Sequence, residues 1–429
     1  MKRGTREFEF RSFHQTQFKA DTLVPNDEGF LQVTVNIVYK SSKHGEDNMR
    51  ISNVSTYAAE FKQNSKTPTN KKWIFLKIET DEGIYGWGEV GSSAAVSENF
   101  MATAIKEVSN QFVGENPMDT DRLWNKLFRL FSYMGSRGFT TSLTAGFDIA
   151  LWDIKGKVSG LPVYDLLGGS YRSPVRLYCN AWFPNCYTPE DYAAAAKKNL
   201  VANGHTACKL DPFIEMAPYH QMYQDGFISQ EGEQLGYDIT AAVREVVGPT
   251  FEILIDAHGH YNVPNAIRLS NNLFEQSNIA WFEEPVPPEG INALKQVKEN
   301  TNAPICVGER LYTRADFIPI LENNLADFIM PDTVWTGGIS EIKKIATMAE
   351  AYYIPVTPHV IPGGPLELIA AAHVVTSIPN FYRLEHAWTL IPEHNKLLLE
   401  PYVIKDGYIH LNNKPGLGFE LNENKLEKI

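Results

Sequence analysis

Seven ionisable residues recur at nearly even intervals through the second half of the chain: Lys209, Asp256, Glu283, Glu309, Asp332, His359 and Glu385. From Asp256 onward the gaps are 27, 26, 23, 27 and 26 residues. Each residue ends a short apolar run, so the interval reads as one strand plus its return, and the side chains form a ring at one end of a parallel sheet. Asp256, Glu283 and Glu309 come from consecutive runs. Carboxylates gathered at contact distance repel one another unless a cation lies between them. Oxygen donors without a thiolate select a hard ion, Mg²⁺ ahead of zinc. Taken singly, each of the three is as readily half of a salt bridge; the shared interval sets them apart.

His359 stands beside Asp332 in this ring. A carboxylate bonded to one imidazole nitrogen fixes the tautomer and leaves the other nitrogen to collect a proton, which is how a general base is prepared. His258, two residues beyond Asp256, shares its strand parity and is expected to face it, as a second acid or base group across the trio. His260 has the same parity, but IDAHGHYN is leaving the strand there, so it is expected to contact from a loop.

The elements that must hold the ring are legible as eight apolar runs from Val175 onward: VRLYCNAW, TACKLD, FEILIDAH, IAWFEEP, PICVGER, DFIMPD, IPVTPH and FYRLEH, most followed by a helical pattern. Parallel neighbours need a crossover of a dozen or more residues, and eight such units in series suit a closed barrel ringed by helices. An open doubly wound sheet fits less well, since no GxGxxG follows the first strand. Ahead of the barrel, MRISNVSTYAAEF and KKWIFLKIETDEGIYGWGEV alternate like strands, with Asp81-Glu82-Gly83 as a hairpin turn. Helical periodicity follows, and in SLTAGFDIALWDIKGKVSG the residues Ala145, Ile149, Trp152 and Ile154 share a face before Gly160 stops the run. The expected organisation is an N-terminal extension over 1–48, an α+β unit with linker helix over 49–170, the barrel over 171–388, and a segment over 389–429 returning to the first unit.

Together IDAH, WFEEP, VGER, MPD with TGGISE, TPH and LEH resemble the mandelate racemase and muconate lactonizing branch of the enolase superfamily, and GFDIALWDIKGKVSGLPVYDLLGG resembles its domain-linking segment. The resemblance spans roughly residues 50 to 400. It implies an α/β fold, a modified TIM-type (β/α) barrel with an N-terminal α+β capping domain. It also implies Mg²⁺ on Asp256, Glu283 and Glu309, with Glu284 behind the ligands, and an enediolate intermediate. Glu385 takes the position that hydrogen-bonds the substrate carboxylate, and the anionic site is expected to hold it protonated.

One departure stands out. Where racemases of this branch carry Lys-x-Lys, this chain has Lys209 and Asp211. The Asp-x-His pattern of Asp256 and His258 instead resembles sugar acid dehydratases of the galactonate type. On that resemblance His359 removes the C2 proton and His258 protonates the departing 3-hydroxyl, giving a 2-keto-3-deoxy acid. Lys209 assists at the substrate carboxylate, Asp211 bonds a hydroxyl or is structural, and Trp388 counts among the substrate contacts. Segments 56–69, Glu89-Val90-Gly91, 213–237 and 359–369 are expected to close over the substrate. The nearest rival is a cycloisomerase opening the ring ether of an anhydro sugar acid such as 3,6-anhydrogalactonate. A rival of another class is a catalytically inactive scaffold that binds sugar acids.

The bulk properties agree with a small-molecule enzyme. A net charge of -12 over 429 residues, with no basic patch, argues against nucleic acid or an anionic membrane as partner. Cys179, Cys186, Cys208 and Cys306 form no CxxC pair, which suits reduced thiols in the cytoplasm. No run approaches the roughly 20 apolar residues of a membrane span. The resemblance adds the expectation of a homo-oligomer.

Overall fold

The computed structural model describes residues 23–25, 31–33, 49–61, 71–91, 97–219 and 223–429. The chain divides at Asn48 into two units. In the first, β1 (Leu23–Pro25) and β2 (Leu31–Val33) pair antiparallel. The rest of the N-terminal extension, positions 62–69 of the expected cap loop and positions 220–222 of the insertion after strand two lie outside the described residues.

The second unit opens with an antiparallel meander of β3 (Ile51–Phe61), β4 (Lys71–Thr80) and β5 (Tyr85–Val90). The β4–β5 turn falls at Asp81-Glu82-Gly83, where Gly83 adopts φ +78°, a conformation open to glycine without strain. Helices α1 (Glu98–Ser109), α2 (Thr120–Leu130) and α3 (Phe139–Ser159) follow. Gly160 stops α3 in the left-handed conformation, as expected of a C-terminal glycine. The one-faced pattern read from the sequence understates the burial of α3. Leu143, Phe147, Leu151 and Ile154 pack into the cap core, while Ile149 joins the barrel core. A helix covered on opposite sides needs apolar and small residues all round. Contact with β5 is close enough to demand glycine: a Cβ on Gly88 would sit 1.9 Å from the Gly146 carbonyl oxygen.

The barrel strands are β6 (Val175–Asn180), β7 (Ala207–Leu210), β8 (Glu252–Asp256), β9 (Trp281–Glu283), β10 (Ile305–Val307), β11 (Phe328–Ile329) and β12 (Leu384–Ala387). They pair in parallel from β6 to β11, and β12 pairs with β6 at the seam. The seventh position is not a continuous strand. IPVTPH contributes bridges from Ile329 to Val356, Val356 to Phe381 and Asp332 to His359. Pro355 and Pro358 lack the N–H that a ladder requires, which accounts for the interruption. The circle is nonetheless closed.

Tyr178, Ala207, Leu254, Trp281 and Cys306, one from each of the first five strands, and Met330 just past β11 form one buried cluster. Leu254, Trp281 and Met330 lie two residues before Asp256, Glu283 and Asp332, so this apolar layer is the floor beneath the carboxylates. After the barrel, β13 (Val403–Lys405) and β14 (Tyr408–His410) form a hairpin that joins β6 antiparallel. Finally β15 (Glu427–Lys428) pairs with β3, so the chain ends on the cap.

Candidate active site

Asp256, Glu283 and Glu309 stand at or just past the ends of β8, β9 and β10. Each offers an oxygen within 4.8 Å of the others, and all three are buried. Glu283 is held by Trp281 Nε1–H at 3.0 Å and Asp256 by the His258 amide at 3.0 Å. The residues just after two of these strands carry unusual backbone: His258 has φ +47° and Glu284 φ +39°. Left-handed non-glycine residues cluster where a site over-determines the chain. Here they turn His258 and Glu284 back toward the trio.

Lys209 is buried among these carboxylates. Its Nζ lies 2.7 Å from Glu283, 3.0 Å from Asp256 and 3.1 Å from Glu385. Burial alone would lower its pKa, but Asp256, Glu283 and Glu385 more than reverse that and hold it well above the usual lysine range. Burial also pushes Glu283 well up, with Asp256 adding to the rise and Lys209 opposing it. Glu284 faces Arg310, with Arg310 Nε 2.6 Å from its carboxylate; burial and Glu309 still raise it to about 7.

The trio fits a hard divalent cation on its own chemistry. Its donors are three buried carboxylates with no thiolate among them, and the one buried ammonium they surround is shared with Glu385.

Two imidazole–carboxylate pairs face this group. His359 Nδ1 is 2.7 Å from Asp332 Oδ2, and its Nε2 lies 3.3 Å from Glu309 and 3.7 Å from Glu385. Asp332 is fixed in turn by the amides of Val334 and Trp335 at 2.9 and 2.7 Å. His258 Nδ1 is 3.0 Å from Asp211 Oδ2, and its Nε2 lies 3.3 Å from Asp256. An ionised carboxylate only accepts, so each Nδ1 carries a proton and each Nε2 points at the trio. His359 approaches at the Glu309 edge and His258 at the Asp256 edge. Burial pulls both imidazoles down; Asp256 and Asp211 outweigh this for His258, and Glu385, Glu309 and Asp332 for His359, leaving each at about 9.

One expectation needs correction. Glu385 is not held protonated: although burial raises its pKa, Lys209, His359, Asn180 and the Val360 amide together bring it below the usual range. Its neighbours are donors, with Asn180 Nδ2 at 3.0 Å and the Val360 N–H at 3.1 Å. An oxygen surrounded by donors is stabilised as the anion. Asp211, left open between a hydroxyl contact and a structural role, faces His258. Trp388 is not brought to the trio; its ring packs edge-on against His205 at 6.0 Å. His260 is buried, with its ring 5.7 Å from that of His258.

The sequence reading missed two contributors, Trp335 and Asn180, and the specific role of a third, Glu89. Trp335 lies over His359 with ring centroids 5.2 Å apart, and it also covers Gly91, where a Cβ would come within 2.3 Å of the indole. Asn180 orients Glu385. Glu89, expected among the closing turns, is buried and accepts the amides of Gly364, Leu366 and Glu367. That carboxylate fastens the end of β5 to the loop after His359 and to the helix Pro365–Thr376. Asp332 carried one signal for Trp335: the residue three beyond a strand-end aspartate can donate its amide back and so folds over the same site.

Comparison with known proteins agrees with this geometry. The profile described as "Mandelate racemase / muconate lactonizing enzyme, N-terminal domain" matches residues 48–168, and "Enolase C-terminal domain-like" matches residues 191–425. The chain is 33% identical over 370 residues to D-xylonate dehydratase of Haloferax volcanii, covering 85% of this chain and 87% of that protein. It is 35% identical over 384 residues to D-galactonate dehydratase of Pectobacterium atrosepticum, covering 87% and 93%. It is 31% identical over 396 residues to D-galactarolactone cycloisomerase of Agrobacterium fabrum, covering 89% and 99%. A solved structure of an enolase superfamily member from Salmonella Typhimurium superposes with a TM-score of 0.80 at 33% identity, covering 89% of this chain and 99% of that one.

Proposed function

Since the chain belongs to the enolase superfamily, in its mandelate racemase and muconate lactonizing branch, we propose that it is a Mg²⁺-dependent dehydratase of an aldonate-type sugar acid. The observation that carries this reading is the pair of His–Asp dyads aimed at one carboxylate trio from two edges. Asp256, Glu283 and Glu309 would hold the ion. When bound, it supplies positive charge against the substrate carboxylate and so eases loss of the neighbouring proton.

The chain's own residues do the rest. His359, its Nδ1–H held by Asp332, is kept against burial at about 9 by Glu385, Glu309 and Asp332; with that field offset by a cation on the trio, its Nε2 lone pair is free to take the C2 proton. His258, its Nδ1–H held by Asp211, gives a proton from Nε2 to the 3-hydroxyl as the C3–O bond breaks. One C–H and one C–O bond are lost, one water leaves, and the enol so formed tautomerises to the 2-keto-3-deoxy acid. Lys209 and Glu385 border the place where the substrate carboxylate meets the trio. Asp211 is then a positioning residue, which answers why an aspartate stands where a racemase has its second lysine. We place the cap at 49–170, the barrel at 171–388 and the returning segment at 389–429, and read the protein as a cytoplasmic homo-oligomer. Among the described residues no helix is long and apolar enough to cross a membrane.

A second reading has its own support, since one relative is named a cycloisomerase and matches over nearly its whole length. The same C2 proton is lost there, but the leaving oxygen belongs to a ring. Incubating the enzyme and Mg²⁺ with a panel of aldonic, aldaric, lactone and anhydro sugar acids, and assaying 2-keto acid, separates the two. Turnover of xylonate, gluconate or galactonate is expected. Turnover restricted to lactones or anhydro acids would replace the dehydratase with the cycloisomerase.

A further inference from the structure

On the outer side of the barrel, at the seam between β6 and β12, three metal-ligating side chains converge away from the acidic trio. Cys179 on β6 pairs in register with His386 on β12, at the seam that closes the barrel. His205 sits just ahead of β7, and its ring stacks on that of His386 with centroids 5.1 Å apart. All three are buried, and one ligand atom from each lies within 4.8 Å of the other two.

The hydrogen bonding makes this cluster unusual. Neither ring nitrogen of His386 has a partner among the described residues, and neither does His205 Nδ1. Buried polar atoms are satisfied in the great majority of cases, so three orphaned imidazole nitrogens beside one thiol require an explanation. The protein shows the contrast within itself. Buried His373 bonds the Tyr164 amide and the Leu417 carbonyl, and buried His394 bonds the Tyr402 hydroxyl and the Gly363 carbonyl. Those two rings are finished by protein partners; the rings at the seam are not.

We propose that Cys179, His205 and His386 form a second metal site, for a borderline-soft divalent cation of the zinc class, which staples the first and last barrel strands. One thiolate and two imidazoles are ligands that zinc favours and Mg²⁺ does not. Strand alternation keeps the two sites apart: Glu385 faces the mouth of the barrel, and its neighbour His386 faces outward. The ion therefore holds the seam without joining the reaction.

The test uses the full-length enzyme, stripped with chelator, dialysed and given saturating Mg²⁺ before Zn²⁺ or Co²⁺ is added. The expected result is about one tightly held equivalent of zinc, a melting temperature raised by several degrees, and a thiolate-to-metal absorption band with Co²⁺. Cys179→Ser removes the band and the thermal gain while leaving turnover with Mg²⁺ within about twofold of the parent. His386→Gln keeps the thiol, weakens zinc by at least ~10-fold and serves if the cysteine variant does not fold. Asp256→Asn, which damages the acidic trio, keeps both band and thermal gain. The proposal is overturned if Co²⁺ gives no thiolate band, if the band survives His386→Gln at full affinity, or if zinc retention disappears in Asp256→Asn.

Discussion

The two His–Asp dyads look alike on paper and are built differently in space. In the His359–Asp332 pair the side chains are 6% and 1% exposed; in His258–Asp211 they are 21% and 19% exposed. Asp332 is pinned by two amides and its histidine is covered by Trp335, whereas Asp211 follows β7 in the loop toward the 213–237 insertion and, among the described residues, accepts one amide, that of Phe213. The difference suits two jobs. A base that removes a weakly acidic proton gains from a dry site with a fixed tautomer. An acid that releases water needs a path to solvent and must be reprotonated each cycle. The same residue types therefore become base or acid by what surrounds them.

The division of labour is open to direct attack. His359→Asn is expected to lower dehydration by roughly 10⁴-fold, and to abolish C2 proton exchange in deuterated water along with it; surviving exchange would mean that the base is another residue. His258→Asn is expected to cut dehydration by about 10³-fold while exchange at C2 persists. If both reactions vanish together, the roles assigned to the two edges do not differ.

The histidines outside the dyads sharpen the contrast through pH. Burial lowers His373 and His394 to about 4, outweighing the opposing bonds to the Leu417 and Gly363 carbonyls. Both folded values lie below the unfolded value of about 6.5, so the unfolded chain binds more protons between these limits and stability must fall as pH falls through that window. The expected loss is on the order of 3 kcal/mol per ring by pH 4, read as a drop in the denaturant midpoint from pH 7.5 downward. His373→Gln flattens that slope if its ring is responsible; an unchanged slope removes it from the account. The smallest effect is expected at Asp211→Asn, about 10-fold on turnover with Mg²⁺ affinity unchanged, since the imidazole remains and only its orientation is lost. A loss of Mg²⁺ affinity there would make Asp211 part of the trio's support instead of the acid's.

Much of this was readable from the chain alone, because a barrel repeats. The interval between Asp256, Glu283 and Glu309 is the length of a strand and its crossover, and parity along β8 placed His258 on the side of Asp256. Where local rules compete, the reading fell short: two prolines cut strand seven to bridges, and α3 is buried on more than the face its pattern showed. What sequence could not show were encounters between residues far apart in the chain. Lys209 reaching Glu385 and Asn180 reaching the same carboxylate depend on closure of the whole circle, and Glu89 reaching residue 364 depends on the cap meeting the barrel. The ionisation of Glu385 follows from such encounters, since the donors around it come from β6, β7 and the segment His359–Val360.

The reach of Glu89 has a bearing on how ligands come and go. One carboxylate accepts three amides from the single helix N-terminus just beyond the catalytic base, so the tip of β5 and the start of the helix Pro365–Thr376 are fastened together. That latch ties the tip of β5 to the chain just past His359. The flank beside Asp211 carries the more exposed of the two dyads, and changes in substrate preference are to be sought on that threshold.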